Sequence, residues 1–382
     1  MAHDDNTRIT GKSIIKRWET LRSDRGTFET HWQDVADLVT PTRDFTITRS
    51  PGEKRRNRIY DSTATFAADR LSGALNGLLV NPSLMWFSLV TQDDRINEDD
   101  AARQWLQDAG RRMLHLFNTP RFGFYSAVNE VFQDLVSFGT GCMFTQTPPG
   151  DLRFQPIALG SAFIDESHNG NVDTVYREFC WTASKILEAF GKNSPDKVKQ
   201  AIEDGKPDQK FTLIQAVLPR RVRDPFRRDK LNKPWASYVV SVDDKEIISE
   251  SGFEEFPFVA PRWSKVAGEL YGRSPAMGML PEIKMVNAMS RTVIMAAEKV
   301  ADPPFMIPDD GFIGPLKTQP GGFTYYRSGT RDRAEPLITN ARPDIGEQII
   351  QQRRDTIEKG FFLDMFQLPM LDRMTATEVQ QR

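Results

Sequence analysis

The residue types that most often carry chemistry are few and scattered in this chain. Its four histidines, His3, His31, His115 and His168, share neither helical nor CxxC-type spacing with one another or with another ligand. Donors at such spacing are the usual sequence mark of a zinc-type site, so their absence argues against one. The two cysteines, Cys142 and Cys180, lie in strand-like or helix-end apolar contexts and are expected to be reduced packing residues. Gly11-Lys12-Ser13 has the tail of a phosphate-binding loop, but the glycine that loop needs five residues earlier is Asn6, and no strand precedes it. Gly139-Thr140-Gly141 follows a helical pattern, not a strand, and reads as a helix C-terminus. Asp93-Asp94, Glu254-Glu255 and Asp309-Asp310 could hold a divalent cation, although adjacent loop carboxylates are ordinarily just solvated. No catalytic set emerges, and no cofactor is implied.

Charge narrows the partners. Fifty basic against 52 acidic side chains leave a net charge of −2, so a broad grip on nucleic acid through phosphate neutralisation is not expected. Basic residues concentrate locally at Lys54, Arg55, Arg56 and Arg58, and in a hairpin-like stretch from Arg220 to Lys233. The start of the chain lacks an apolar signal region, and no run of 18 apolar residues occurs, so neither secretion nor membrane insertion is expected.

The elements that would position any site are clearer. Residues 12–40 predict one helix, 62–79 a second, 99–117 a third and 124–138 a fourth, each from apolar spacing of three or four. Trp86 to Val90 predicts a strand. Short alternating runs at 142–147, 152–158, 172–181, 211–223, 235–241 and 246–250 predict a mostly β middle, interrupted by helix between Ser184 and Glu203. The small residues of 62–79, Gly73 and Gly77 among them, predict close approach by a neighbouring element, since glycine costs a helix about 1 kcal/mol.

Two long amphipathic patterns dominate the last third. The first starts at Ser274-Pro275 and runs to Val300 through Ile283, Val286, Met289, Val293 and Ala297. The second follows Pro343 and runs to about Leu363 through Ile345, Ile349, Ile357 and Phe361. Between them, 301–343 holds seven of the 24 prolines, with short apolar runs such as Phe305-Met306-Ile307 and Phe323 to Tyr326 that predict strands and tight turns. Thr375-Ala376-Thr377-Glu378 has the form of a capping box. The sequence ends four residues later, so the natural chain is expected to continue.

This order of elements resembles the portal protein of tailed bacteriophages, and more narrowly the head-to-tail connecting proteins of short-tailed phages. The resemblance rests on Tyr60-Asp61-Ser62-Thr63-Ala64, Pro82 to Trp86-Phe87, Phe138-Gly139-Thr140-Gly141, Tyr271-Gly272-Arg273-Ser274-Pro275, Pro303-Pro304 and Met374-Thr375-Ala376-Thr377-Glu378-Val379, taken in order over residues 10–382. It implies an α+β portal fold: a wing of helices and mixed β structure (1–265), a first stem helix (266–300), a Pro/Gly-rich clip (301–343), a second stem helix (344–363), a tunnel loop (364–374) and the start of a wing-spanning helix (375–382). By the same resemblance, the family's helical crown is expected to be missing from this sequence.

The same resemblance implies a homo-oligomeric ring of about twelve subunits at one vertex of the virion capsid, assembled in the host cytoplasm and not in a membrane. Double-stranded DNA would pass through it during packaging and ejection. Its partners would be capsid and scaffolding proteins, the terminase large subunit and then tail or adaptor proteins. Met365, Phe366, Leu368 and Met370 would line the tunnel. Lys284, Arg291, Arg353 and Arg354 would face the channel or a neighbour, and Phe312, Tyr325, Tyr326, Arg327, Arg331 and Arg333 would meet clip partners. The protein would not be an enzyme. Two alternatives stay open: a metal-dependent nucleic-acid enzyme using scattered carboxylates, and a simple DNA-binding protein using the Arg220–Lys233 stretch.

Overall fold

The computed structural model describes residues 9–45, 59–147, 151–227, 229–302, 305–306, 335–336 and 343–366. It mixes helices and antiparallel sheets. Helices α1 (Gly11–Asp24) and α2 (Gly26–Leu38) replace the single helix expected over 12–40. The break falls at Arg25, only 2% exposed, whose guanidinium turns inward to donate to the carbonyls of Leu159 (3.0 Å), Ala162 (2.7 Å) and Gly160 (2.7 Å). Glu29 balances its charge at 2.6 Å, and the Phe163 ring lies 3.8 Å from it. A buried cation is tolerated only when its donors and charge are met in this way, so the turn at Arg25 exists to deliver that side chain. Gly26, a poor helix former, follows it.

Gly11 and Ser13 have a structural use. Thr10 and Ser13 make a reciprocal capping box at the start of α1, and a Cβ on Gly11 would stand 2.3 Å from the Lys245 carbonyl oxygen. Helices α3 (Thr63–Leu79), α4 (Asp94–Glu98), α5 (Asp100–Asn118) and α6 (Phe124–Phe138) follow. Ala64, Ala67 and Ala68 of α3 are buried, but Gly73 and Gly77 face open space, against the expected close approach. The expected strand at Trp86 to Val90 is irregular chain that joins no ladder. Its aromatics pack sideways instead: the Trp86 ring lies 6.1 Å from Phe124, which stacks on Phe117 at 4.4 Å.

Strands β1 (Met143–Gln146), β2 (Arg153–Pro156), β3 (Ala162–Glu166) and β4 (Val172–Thr182) come next, then α7 (Ala183–Phe190) and α8 (Asp196–Glu203), then β5 (Lys210–Pro219), β6 (Trp235–Ser241), β7 (Ile247–Phe253) and β8 (Phe258–Val259). Strands β3 to β7 form a five-stranded antiparallel meander in sequence order, and β2-β1-β8 form a smaller sheet. The apolar face of α1, Ile14, Ile15, Trp18 and Leu21, packs on Phe163, Tyr176, Ile214 and Tyr238 of the meander. Cys142 is buried as expected, whereas Cys180 is exposed on β4; both are free.

The remaining elements are α9 (Pro275–Ala301), β9 (Phe305–Met306), β10 (Glu335–Pro336), α10 (Pro343–Gly360) and α11 (Leu363–Phe366). Strand β9 pairs antiparallel with β10. The largest core gathers α2, α3, α6, the small sheet and the inner faces of α9 and α10 around Trp32 and Phe138. Trp32, wholly buried, donates its indole N–H to the Phe138 carbonyl at 3.0 Å.

One buried acid makes this core pH-sensitive. Asp134 on α6 is 4% exposed and takes Arg43 Nε at 3.3 Å, while the same guanidinium also meets Glu130 at 3.3 Å. Burial outweighs the help of the shared cation and, with Glu130 repelling, raises the Asp134 carboxyl to about 7. A carboxyl raised in the folded state is stabilising while protonated, and that contribution is lost as pH rises through the folded pKa. Asp134→Asn, neutral at every pH, should therefore lose less thermal stability between pH 5 and pH 8 than the unmodified chain, the difference reaching up to about 3 kcal/mol. Unfolding curves with equal pH slopes for the two proteins would contradict this.

Candidate functional site

Helix α9 starts at a junction built from two segments 130 residues apart in sequence. Ser274 caps it, its hydroxyl accepting from Met277 N–H (2.9 Å) and donating to the Ser137 carbonyl (2.8 Å). Pro275 fills the first turn, where no N–H is needed. The two chains cross at a pair of glycines. A Cβ on Gly139 would stand 2.4 Å from the Gly272 carbonyl oxygen, and one on Gly272 would stand 2.3 Å from that of Gly139. Gly139 also holds φ 77°, the left-handed cap that ends α6, as its sequence context predicts. Thr140 Oγ1 accepts from Gly272 N–H at 2.9 Å, and Trp263 N–H donates to the Gly139 carbonyl at 2.9 Å. Tyr271 is buried edge-on to Trp32, 5.1 Å between rings, its hydroxyl accepting from Ile164 N–H.

From this junction α9 runs antiparallel to α10. A Cβ on Gly360 would collide with Met279, and one on Gly346 would stand 2.8 Å from Val293 Cγ2. Arg353 reaches Glu282 between these two points, at 3.1 Å. Glycines at both ends thus let the helices close on each other. Ile283, Val286, Ile350, Ile357 and Phe361 are buried between the pair and the main core. Ile349, expected on the apolar stripe of α10, is exposed instead, because Gly346, Ile350 and Ile357 occupy the contact face. Beyond Val293 the pair leaves the core, and Ile294, Met295 and Val300 are exposed. Helix α10 stops at Gly360; Phe362, at φ 58°, turns the chain into α11.

The charged residues singled out on these helices all have partners within the chain. Lys284 pairs with Asp34 of α2 at 2.7 Å. Arg291 lies over the Tyr60 ring, 5.9 Å from its centre, and the neighbouring Asn287 accepts from Tyr60 N–H at 2.7 Å. Arg354 reaches Asp61 at 2.7 Å, and Asp61 also caps Thr63 N–H at 3.0 Å. Burial alone would raise the Asp61 carboxyl, but hydrogen bonds from Thr63 and the Arg354 guanidinium outweigh it and hold it below the ordinary carboxylate range. An open groove of about 560 Å³ runs along the far side of α9 past Tyr60, Lys284, Asn287, Arg291 and Met295. Met365 is exposed after α10. The side chain of Phe366, together with Leu368, Met370, Phe312, Tyr325, Tyr326, Arg327, Arg331 and Arg333, lies outside the described residues.

Several anchors escaped the sequence reading. Glu166 takes both Arg262 and Lys265, the latter at 2.6 Å, which ties the β3 end to the segment leading into α9. Burial works against this carboxylate, and the two cations hold it below its ordinary range. No local pattern marks these residues. Among the described residues, no three His, Cys, Asp or Glu side chains converge as metal donors, and no helix is long and apolar enough to cross a membrane. The arrangement is mechanical: two helices locked at one end into a core and projecting at the other.

Residues 11–382 match the family described as bacteriophage head to tail connecting protein. The chain is 30% identical over 383 residues to a probable portal protein of Bordetella phage BPP-1, covering 97% of this chain and 68% of that protein. It is 29% identical over 366 residues to a portal protein of Salmonella phage epsilon15, covering 93% of this chain and 65% of that one. It thus spans about two thirds of the length of these relatives.

The crossing glycines give a direct test. Gly139→Ala adds a strained left-handed residue and a clash with backbone, and should cost more than about 2 kcal/mol in urea unfolding. Gly77→Ala, on an open helix surface, should instead stabilise by up to about 1 kcal/mol. Equal effects at the two sites would mean that the junction is not tightly built.

Proposed function

This chain belongs to the bacteriophage head to tail connecting protein family, and from that premise we propose that it works as a portal. About twelve copies form a ring at one capsid vertex, and the α9–α10 pairs stand side by side as the wall of a DNA channel. In this reading residues 301–343 meet the packaging motor and later the tail or adaptor proteins, and Met365, Phe366, Leu368 and Met370 narrow the channel. The ring assembles in the host cytoplasm with capsid and scaffolding proteins and ends in the virion. The chain itself catalyses nothing; it positions DNA for a motor carried by another chain.

The observation that carries this reading is the asymmetry of the helix pair. Its proximal half buries one face in the core and leaves Met285 exposed on the other, while its distal half shows Ile294, Met295, Val300 and Ile349 to solvent. Apolar side chains on a projecting element call for a covering partner. A ring supplies one to every copy, because each presents one face to its left neighbour and a different face to its right.

The charges suit a conduit. Residues 276–300 carry two acidic and three basic side chains, and 344–363 carry four and three. Lys284, Arg353 and Arg354 are already engaged by carboxylates of their own chain. A wall with so few free cations neutralises few phosphates, so DNA can move past it. In the ring, the groove beside Lys284 and Arg291 is the surface these residues offer to a neighbour or to DNA.

Native mass spectrometry with negative-stain imaging tests the assembly. The expected result is a closed ring of about a dozen copies with a central hole. A chain that remains a monomer or dimer at every concentration tried would count against the proposal.

A further inference from the structure

The helix pair is not the only uncovered surface. Between β5 and β6, residues 221–233 carry six basic and two acidic side chains. The tip of this loop is built: Asp224 accepts from Phe226 N–H at 3.0 Å, and Asn232 accepts from Asp224 N–H at 2.9 Å. Its base is fixed by Arg220, which pairs with Glu250 at 2.6 Å. The turn holds Phe226 96% exposed, and Val222 is exposed as well. Arg221 and Arg223 make no ion pair among the described residues. A hydrogen-bonded turn that holds a phenylalanine in water beside two unpaired arginines has the composition of a binding hot spot.

Residues 93–108 have the opposite character, with six acidic and two basic side chains. Asp93 and Asp99 cap α4 and α5, so their carboxylates are held in place. Asp94 and Glu98 are exposed and make no ion pair among the described residues. Trp105 is 70% exposed, and Gly110 is the one fully buried residue of α5. Val90 and Ile96, both exposed, flank a turn closed by Asn97, which accepts from Thr91 N–H at 2.8 Å. This is an acidic surface with an indole in it. Among the described residues, the ion pairs of each segment stay local and none joins the two.

We propose that the Phe226 loop of one copy docks on the Trp105 surface of the next. The occupant is a second copy of this chain because the two patches carry matched and opposite charge excesses. Two different patches on one chain make a head-to-tail contact, the kind that repeats into a closed ring. The apolar side chains supply the buried centre, and the charges around them set partner and orientation. This inference rests on the ring reading above and adds the contact that holds neighbouring copies.

The test uses the full chain, its assembly followed by native mass spectrometry over a concentration series. Arg221→Glu with Arg223→Glu should raise the concentration for half-assembly by about tenfold or more, and Asp94→Lys with Glu98→Lys should do the same. All four changes in one chain should restore assembly, since the reversed surfaces again complement each other. Phe226→Ser, at a site with no packing to lose, should weaken assembly while leaving the unfolding curve unchanged. Rings that form as usual with either charge pair reversed, or four-fold variants that fail to recover, would overturn the contact but leave the ring reading standing. An unmodified chain that never assembles would overturn both.

Discussion

The close crossing of Gly139 and Gly272 is the constraint on which the rest of this structure depends. Two backbones that pass with no room for a Cβ on either strand fix where α6 ends and where α9 begins. Ser274 then caps α9 while donating to the α6 carbonyl at Ser137, so the direction of the long helix is set by the helix it leaves. Hydrogen bonds from Thr140 and Trp263 close the junction. Because α10 packs along α9, with Gly346 and Gly360 permitting the approach, the same junction orients both helices relative to the sheets.

Electrostatics reinforces that frame more than it decorates a surface. Lys284 and Arg354 join the helix pair to carboxylates of α2 and of the segment before α3, and Arg353 ties α10 to α9. Exposed pairs of this kind contribute little individually, but Asp61 is 4% exposed in its side chain and accepts from both Thr63 and Arg354. Arg25 does the same work deeper in the molecule, collecting three carbonyls around the β3 start. The outcome is a helix pair cross-linked to its base at several points along its length.

Much of this was legible in sequence where the signal is local. Ser274-Pro275 announces a helix start through cap chemistry, and Gly139 announces a helix end because only glycine adopts its conformation cheaply. The stripe Ile283, Val286, Met289 reports a buried face through its period. Other features depend on partners far along the chain. Arg25 breaks a helix for carbonyls more than 130 residues away, and nothing near it says so. Trp86 to Val90 has strand composition, yet its rings are claimed by α5 and α6. Gly73 and Gly77 look like close-contact residues but meet open space in the single chain. The salt bridges of Lys284 and Arg354 were invisible for the same reason: a sequence shows a cation, not which carboxylate the fold brings to it.

In the proposed ring the α9–α10 pair is the wall of a channel and the sheets lie outside it. An electron cryomicroscopy reconstruction of the assembled chain tests this most directly, by showing which element borders the central hole. The expected map has the helix pairs around the hole, with the β3–β7 meander at the periphery. A ring whose hole is bordered by the meander, with α9 and α10 on the outer rim, would contradict the account.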